Sequence, residues 1–257
     1  MNDIDDPLRP VVGAYAALFE QLAAVTTGRF RRGPGGTVLA VSGSAVSALN
    51  LVVSPALVPD PEEVALLAAA GTPWEVPWSI QVRGVPGPRL AAVAAGYGLT
   101  AFSSEPLMVR PAELGPPEPP ATGDLRVRAV PVEEFGRYAE AVTEGFQAPA
   151  GTFELLADPV LAKLDGVAFH LAEVDGIPVG TGMTAVSGGL TGIFNVTTLP
   201  AHRRRGYGRA VTAELVRAGF AAGGTTAYLY ASEMGASVYA SLGFRTREHL
   251  TVITAPS

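Results

Sequence analysis

The 257-residue chain contains no cysteine, so disulfides, thiolate catalysis and cysteine-held metal are excluded from the start. Histidine is scarce. His170, His202 and His249 stand far apart, at no spacing that ligates an ion, and no metal site is expected. Charged residues make up 16% of the chain against 48% apolar, which excludes a disordered polymer and allows a substantial core. The net charge of −6 lacks the basic footprint that nucleic acid demands. Gly, Pro or charge breaks every apolar stretch short of the ~18 residues of a membrane span. The acidic opening, MNDIDDPLRP, has no basic region followed by an apolar one and does not read as a signal peptide. The expectation is a cytoplasmic protein that engages neither nucleic acid nor membrane.

Glycine and proline are plentiful, at 30 and 22. Five of the prolines fall within residues 111–123, PAELGPPEPPATG. Proline fixes φ and lacks a donor, so this stretch cannot be a helix or strand interior, and it reads as a semi-rigid linker. That predicts an α/β N-terminal domain over 1–110, a linker over 111–123 and a second domain over 124–257.

In the first domain the pattern predicts a helix from Val11 to Val25, then a hairpin of residues 37–43 and 47–54. A helix over 61–70 follows, with Asp60 as its N-cap, Pro61 in its first turn and acids Glu62 and Glu63 behind. A strand at 77–84, a helix at 88–98 and a strand at 101–111 complete it. The second domain reads as a strand at 125–130, a helix from Val132 to Phe146, and a short helix over 152–163 interrupted by Pro159. A hairpin of 168–174 and 177–186 turns on Asp175-Gly176. Then come a strand at 190–199, a helix at 206–222, a strand at 226–232, a helix at 235–242 and a strand near 249–255. The fold class is α/β: a mixed, mostly antiparallel twisted sheet flanked by helices, preceded by a smaller α/β domain.

The chemistry concentrates after Leu199, in Pro200-Ala201-His202-Arg203-Arg204-Arg205-Gly206-Tyr207-Gly208-Arg209. A strand runs straight into a glycine-bearing turn and the N-terminus of a helix. Such an end exposes unpaired N–H groups and partial positive charge. Glycine lets the backbone approach an anion closely, and arginine adds charge-assisted donors. Together these make a pyrophosphate cradle. Read without function, the arginines are a solvated basic loop. A second element, Ser232 to Phe244, follows a strand and ends in Tyr239-x-x-x-Gly243-Phe244.

With Asn195-Val196-Thr197-Thr198-Leu199-Pro200, the Arg-x-x-Gly-x-Gly turn and Tyr239–Phe244 in this order and spacing, residues 125–255 resemble the GNAT superfamily of acetyltransferases. The resemblance implies acetyl-CoA as co-substrate and no metal. It assigns the coenzyme to Val196, Thr197 and Thr198, Arg203, Arg204, Arg205, Gly206, Tyr207, Gly208, Arg209 and Ser232. The turn backbone would hold the pyrophosphate, and Val196–Thr198 would pair with the pantetheine arm as an added strand. Ser232 stands where many relatives carry asparagine.

Two catalytic residues are expected: Tyr239 as the acid that protonates the departing thiolate, and Glu144 as a base, with Glu173 and Glu233 as other candidates. The strand before the turn, Gly192 to Val196, carries no carboxylate where many relatives have one, which points to a water-mediated base or an amine that arrives partly deprotonated. A backbone N–H near Val196 would stabilise the oxyanion. The implied function is acyl transfer to the amine of a small molecule. The alternatives are a non-catalytic acyl-CoA-binding or regulatory module, and acylation of a protein amine. A homodimer is compatible with either domain. The element order of residues 10–110 partly echoes the second half, so the first domain is either a degenerate GNAT-like repeat or an unrelated α/β lid. Trp74, Trp78 and Phe146 read as core aromatics, with an acceptor-pocket wall as the alternative.

Overall fold

A computed structural model describes residues 6–72, 74–120 and 122–256. The chain divides into two compact units, Met1–Pro106 with Glu248–Ser257, and Leu107–Arg247. The first unit holds α1 (Arg9–Val25), β1 (Arg29–Arg32), β2 (Val38–Val41), β3 (Asn50–Ser54), α2 (Pro61–Ala70), β4 (Ser79–Arg83), α3 (Pro88–Gly96) and the start of β5 (Ala101–Pro111). The second holds the rest of β5, then β6 (Arg126–Ala129), α4 (Phe135–Phe146), β7 (Val167–Val174), β8 (Ile177–Ser187), β9 (Leu190–Thr198), α5 (Tyr207–Ala221), β10 (Thr226–Tyr230) and α6 (Ala236–Ser241). β11 (Arg245–Thr254) begins in the second unit and ends in the first.

In the first unit α1 buries Val11, Val12, Tyr15, Phe19 and Leu22, the one-sided spacing of an amphipathic helix. Strands β1, β2 and β3 form an antiparallel meander, β3 runs parallel to β4, and β4 is antiparallel to Leu250–Thr254 of β11. Every residue of β2, β3 and β4 is buried, including the polar Asn50, Ser79, Gln81 and Arg83. The expected cap of α2 forms, with Asp60 Oδ1 accepting the Glu62 amide at 3.0 Å. Pattern reading missed β1 altogether. Its sequence, Arg-Phe-Arg-Arg, is exposed at all four positions, so no alternation marks it, and only its pairing with β2 makes it a strand.

The division of the chain differs from the expected one. Residues 111–123 do not lie between the units. They belong to the second, where the buried Arg110 guanidinium donates to the carbonyls of Leu242 at 2.8 Å, Pro111 at 3.3 Å and Gly115 at 2.5 Å. The last strand, expected in the second domain, largely completes the first. Conversely, Leu107–Pro111 pairs antiparallel with β10, from Leu107↔Tyr230 to Pro111↔Thr226. Each half of the chain therefore ends in a strand that finishes the other unit. Alternating hydrophobicity identifies a strand but carries no information about which sheet it joins.

The second unit has the mixed, mostly antiparallel sheet that was expected, in the order β5-β10-β9-β8-β7-β6 with β10 and β9 parallel. Helices cover both faces. Phe169 stacks on Tyr138 of α4 at 4.7 Å. On the other face a Cβ added to Gly182 would lie 2.4 Å from Leu215 Cδ1 of α5. The core between sheet and α5 holds Ile193, Val211, Leu215, Val216 and Leu229, each contributing about 1.5–3 kcal/mol on burial. The expected short helix over 152–163 is instead two 3₁₀ turns, Glu154–Ala157 and Pro159–Lys163, because Pro159 starts a new turn and cannot continue the old one.

One buried ionic cluster fastens the returning strand. Arg83, 3% exposed, donates to Glu248 from Nε and Nη2 at 2.8 Å each, to Asp6 from Nη2 at 3.0 Å, and to the Pro55 carbonyl. The Arg83 guanidinium holds the Asp6 carboxyl below its ordinary value of 3.8. A depressed carboxylate stabilises the fold above its unfolded pKa, and that contribution disappears as pH falls through the folded value. Glu248→Ala, which leaves Arg83 short of one anion, should cost about 3 kcal/mol in urea unfolding at neutral pH. A loss below 0.5 kcal/mol would show that the cluster does not hold the strand.

Candidate active site

The site grows from an irregularity in β9. Its register against β8 runs Gly180↔Thr198 and Thr181↔Thr197, then jumps to Met183↔Phe194, so β9 carries one extra residue. Asn195 absorbs it with φ +50°, a left-handed conformation that asparagine tolerates better than other residues with a Cβ. Thr181 Oγ1 donates to the Asn195 carbonyl at 2.7 Å, and Asn195 Nδ2 donates to the Tyr138 hydroxyl at 3.4 Å. Tyr138 is fully buried, and burial holds its phenol far above the ordinary range. Neither Tyr138 nor Thr181 was anticipated. The available signal was the asparagine itself, a turn former inside the strand sequence Ile-Phe-Asn-Val-Thr.

β9 and β10 pair only from Leu190↔Thr226 to Gly192↔Tyr228. Among the described residues Val196, Thr197 and Thr198 have no ladder pairing with β10, and all three are half-buried. They present a strand edge on that side. α4 presses on the opposite side of this segment, where a Cβ added to Gly145 would lie 2.3 Å from Thr197 Cγ2.

The turn to α5 has the anticipated form. Arg204 and Gly206 take φ +66° and +81°. The first helical hydrogen bond is from Ala210 N to Gly206 O, and among the described residues the amides of Arg204 to Arg209 find no acceptor. A row of free N–H groups at a helix N-terminus attracts anions. Arg204, Arg205 and Arg209 are exposed, with no side-chain partner among the described residues. Arg203 differs from them. Its guanidinium donates to Thr198 O at 3.1 Å, Gln147 Oε1 at 2.8 Å and Gly145 O at 2.8 Å. It therefore ties the end of β9 to the C-terminal turn of α4, where carbonyls carry partial negative charge. The Tyr207 ring is buried in the core, leaving only its amide to the cradle. Gly208 lets the first turn of α5 close on Thr198, whose Oγ1 would lie 3.4 Å from an added Cβ.

Tyr239 sits on α6, half-buried, its ring 6.1 Å from that of Phe244. Its hydroxyl donates to no described residue, and burial pushes its pKa up to about 12. Ser232 begins the turn that leads to α6. Its Oγ accepts the Gly235 amide at 3.2 Å and its carbonyl accepts those of Gly235 and Ala236. That hydroxyl is engaged as a turn cap.

The three candidate carboxylates fare differently. Glu144 and Glu233 are exposed, without an ion pair among the described residues. Glu173 is buried and engaged by Arg128 at 2.7 Å and Arg137 at 2.8 Å, both of which also bond Glu134. Both oxygens of that carboxylate are thus taken up by guanidinium donors. Trp74 and Trp78 stack at 3.9 Å within the core of the first unit, and Phe146 stacks on Phe153 at 5.5 Å, half exposed. Among the described residues no cluster of His, Asp or Glu could hold a metal ion, and no helix is long and apolar enough to cross a membrane.

Residues 165–246 match the family model described as an acetyltransferase (GNAT) domain. No curated protein matches the chain. Among solved structures the chain is similar to a GCN5-related N-acetyltransferase from Kribbella flavida, at 24% identity and TM-score 0.69, covering 96% of each chain. A conserved protein of unknown function from Staphylococcus epidermidis gives 14% identity and TM-score 0.64 over 89% of this chain and 94% of that one. A GCN5-related N-acetyltransferase from Sphaerobacter thermophilus gives 22% and 0.53 over 75% and 64%. At these identities the likeness is one of fold.

The cradle can be tested with the anion alone. Gly206→Val cannot hold φ +81° without strain and should weaken inorganic pyrophosphate binding about tenfold in a calorimetric titration. Unchanged affinity would place the anion elsewhere.

Proposed function

We propose that this chain, whose residues 165–246 match the GNAT acetyltransferase domain model, transfers an acetyl group from acetyl-CoA directly to the amine of a small molecule. The observation that carries this reading is the presence in one unit of three features, each without a partner among the described residues: the β10-facing edge of Val196–Thr198, the amides of Arg204 to Arg209, and the hydroxyl of Tyr239. Acetyl-CoA supplies an activated thioester with a pyrophosphate at the far end of an extended arm. The amides and the exposed arginines suit the pyrophosphate, and the β9 edge suits the amide-bearing arm.

The remaining work falls on few residues. A backbone N–H near Val196 stabilises charge on the carbonyl oxygen as the amine adds. Tyr239 offers its proton to the sulfur as the carbon–sulfur bond breaks. Because burial raises that phenol to about 12, it stays protonated at neutral pH and well above it. The proton lost by the amine passes to water, since Glu144 and Glu233 face solvent and Glu173 is occupied. That same shortage of carboxylates supports the second reading, a non-catalytic acyl-CoA-binding module. Steady release of free thiol with a panel of amines would rule it out.

Tyr239→Phe should lower kcat about a hundredfold and leave the Kd for acetyl-CoA nearly unchanged. In the unaltered protein, kcat should show no descending limb up to about pH 10, because the acid form of Tyr239 persists to about 12. A full rate in the phenylalanine variant would remove Tyr239 from the chemistry.

The first unit repeats the connection order of the second: helix, three-stranded meander, crossover helix, parallel strand, helix. Its crossover helix α2 starts with Asp60, Pro61, Glu62 and Glu63, acids that repel an anion where α5 offers free amides. We read it as a degenerate repeat without coenzyme. Calorimetry should therefore find one equivalent of acetyl-CoA per chain, and two would sink this reading.

A further inference from the structure

The two faces of the second sheet present different chemistry. The cradle belongs to α5, which packs on the face carrying Gly182. Phe169 and Met183, paired across β7 and β8, lie on the α4 face. A coenzyme seated along α5 and the β9 edge leaves the α4 face for the second substrate.

Asn195 points to that face. Its Nδ2 donates to the Tyr138 hydroxyl at 3.4 Å and lies 3.9 Å from Met183 Sδ. Both contacts are made by the amide nitrogen, which turns Oδ1 away from Tyr138 and Met183. Its Oδ1 is left with no partner among the described residues, on a half-buried residue next to Val196. The backbone of Asn195 is held as well, its carbonyl accepting from Thr181 at 2.7 Å. A fixed, unclaimed acceptor atom at the bulge suits an N–H donor.

We propose that Asn195 Oδ1 accepts a hydrogen bond from the N–H of the acceptor amine and orients its lone pair toward the acyl carbon. This rests on the acyl-transfer reading above. Asn195 is thus an acceptor-orienting residue. The nitrogen–carbon bond forms as the carbon–sulfur bond breaks, the sulfur takes the Tyr239 proton, and the amine's proton goes to water. The amide changes neither charge nor protonation. Tyr138 and Thr181 are positioning residues that hold Asn195 in place.

Asn195→Gly tests the proposal, because glycine adopts φ +50° without strain and only the side chain is lost. Acetyl-CoA affinity should stay within about twofold, while KM for the amine rises about tenfold, the scale of one lost hydrogen bond. Asn195→Asp, which keeps an acceptor oxygen, should recover most of that loss. An unchanged amine KM in the glycine variant overturns the proposal. So does a parallel fall in coenzyme affinity, which would make Asn195 a purely structural element of the bulge. Failure of the unaltered protein to release thiol with any amine, while it still binds acetyl-CoA, overturns the acyl-transfer reading instead.

Discussion

One additional residue in β9 shapes the rest of the site. A strand in register with both neighbours has no free backbone groups to offer a ligand, because the ladder consumes them. The bulge at Asn195 ends that regularity, and among the described residues Val196–Thr198 do not pair with β10. The cost is a left-handed backbone at a residue with a Cβ and a row of unpaired groups on half-buried strand. Packing on the other face keeps the distortion in place. α4 sets Gly145 directly against Thr197, Tyr138 receives the Asn195 side chain, and Arg203 ties the end of β9 to the last carbonyls of α4. Arg203, which the family resemblance assigns to the coenzyme, instead donates to the end of β9 and the last turn of α4.

The two units show how end chemistry separates topologically similar halves. In both, a meander leads through a crossover helix to a parallel strand. In the second unit the parallel pair is short and the helix begins with free amides and exposed arginines. In the first, β3 and β4 pair from Leu51↔Ser79 to Ser54↔Val82 without a bulge. The Glu63 carboxylate near the start of α2 is itself wrapped by protein, accepting the Gly35 amide at 2.6 Å and the Thr37 hydroxyl. That helix end presents the carboxylates of Asp60, Glu62 and Glu63 where α5 presents arginines.

What the sequence revealed follows from where the information lies. The strand–turn–helix at Leu199–Tyr207 and the Asp60 cap were legible because their determinants are local: glycine conformation, capping chemistry and helical periodicity. The exchange of β5 and β11 was not, because pairing partners far apart in the chain leave no local mark. β1 was missed because an exposed edge rich in arginine has no buried side to alternate. Glu173 was visible as a carboxylate, but its neutralisation by Arg128 and Arg137 depends on β6 and α4 meeting β7, which no spacing rule predicts.

The proton inventory of the site limits the substrate. On the acyl-transfer reading proposed above, with Glu144 and Glu233 facing solvent and Glu173 occupied, the nucleophile is an amine that arrives already neutral. An alkylamine with a pKa near 10.4 is free in only about one molecule in a few thousand at pH 7, whereas an α-amino group with a pKa near 8 is free in about one in ten. That difference, about two orders of magnitude in effective concentration, favours weakly basic amines for a site built this way. It also explains why a phenol suffices at the other end of the reaction. On that reading a neutral amine becomes cationic as it adds and gives its proton to water, while negative charge passes from the carbonyl oxygen to the sulfur. Tyr239, held protonated by burial, and a backbone N–H beside the bulge are the groups proposed to meet that charge.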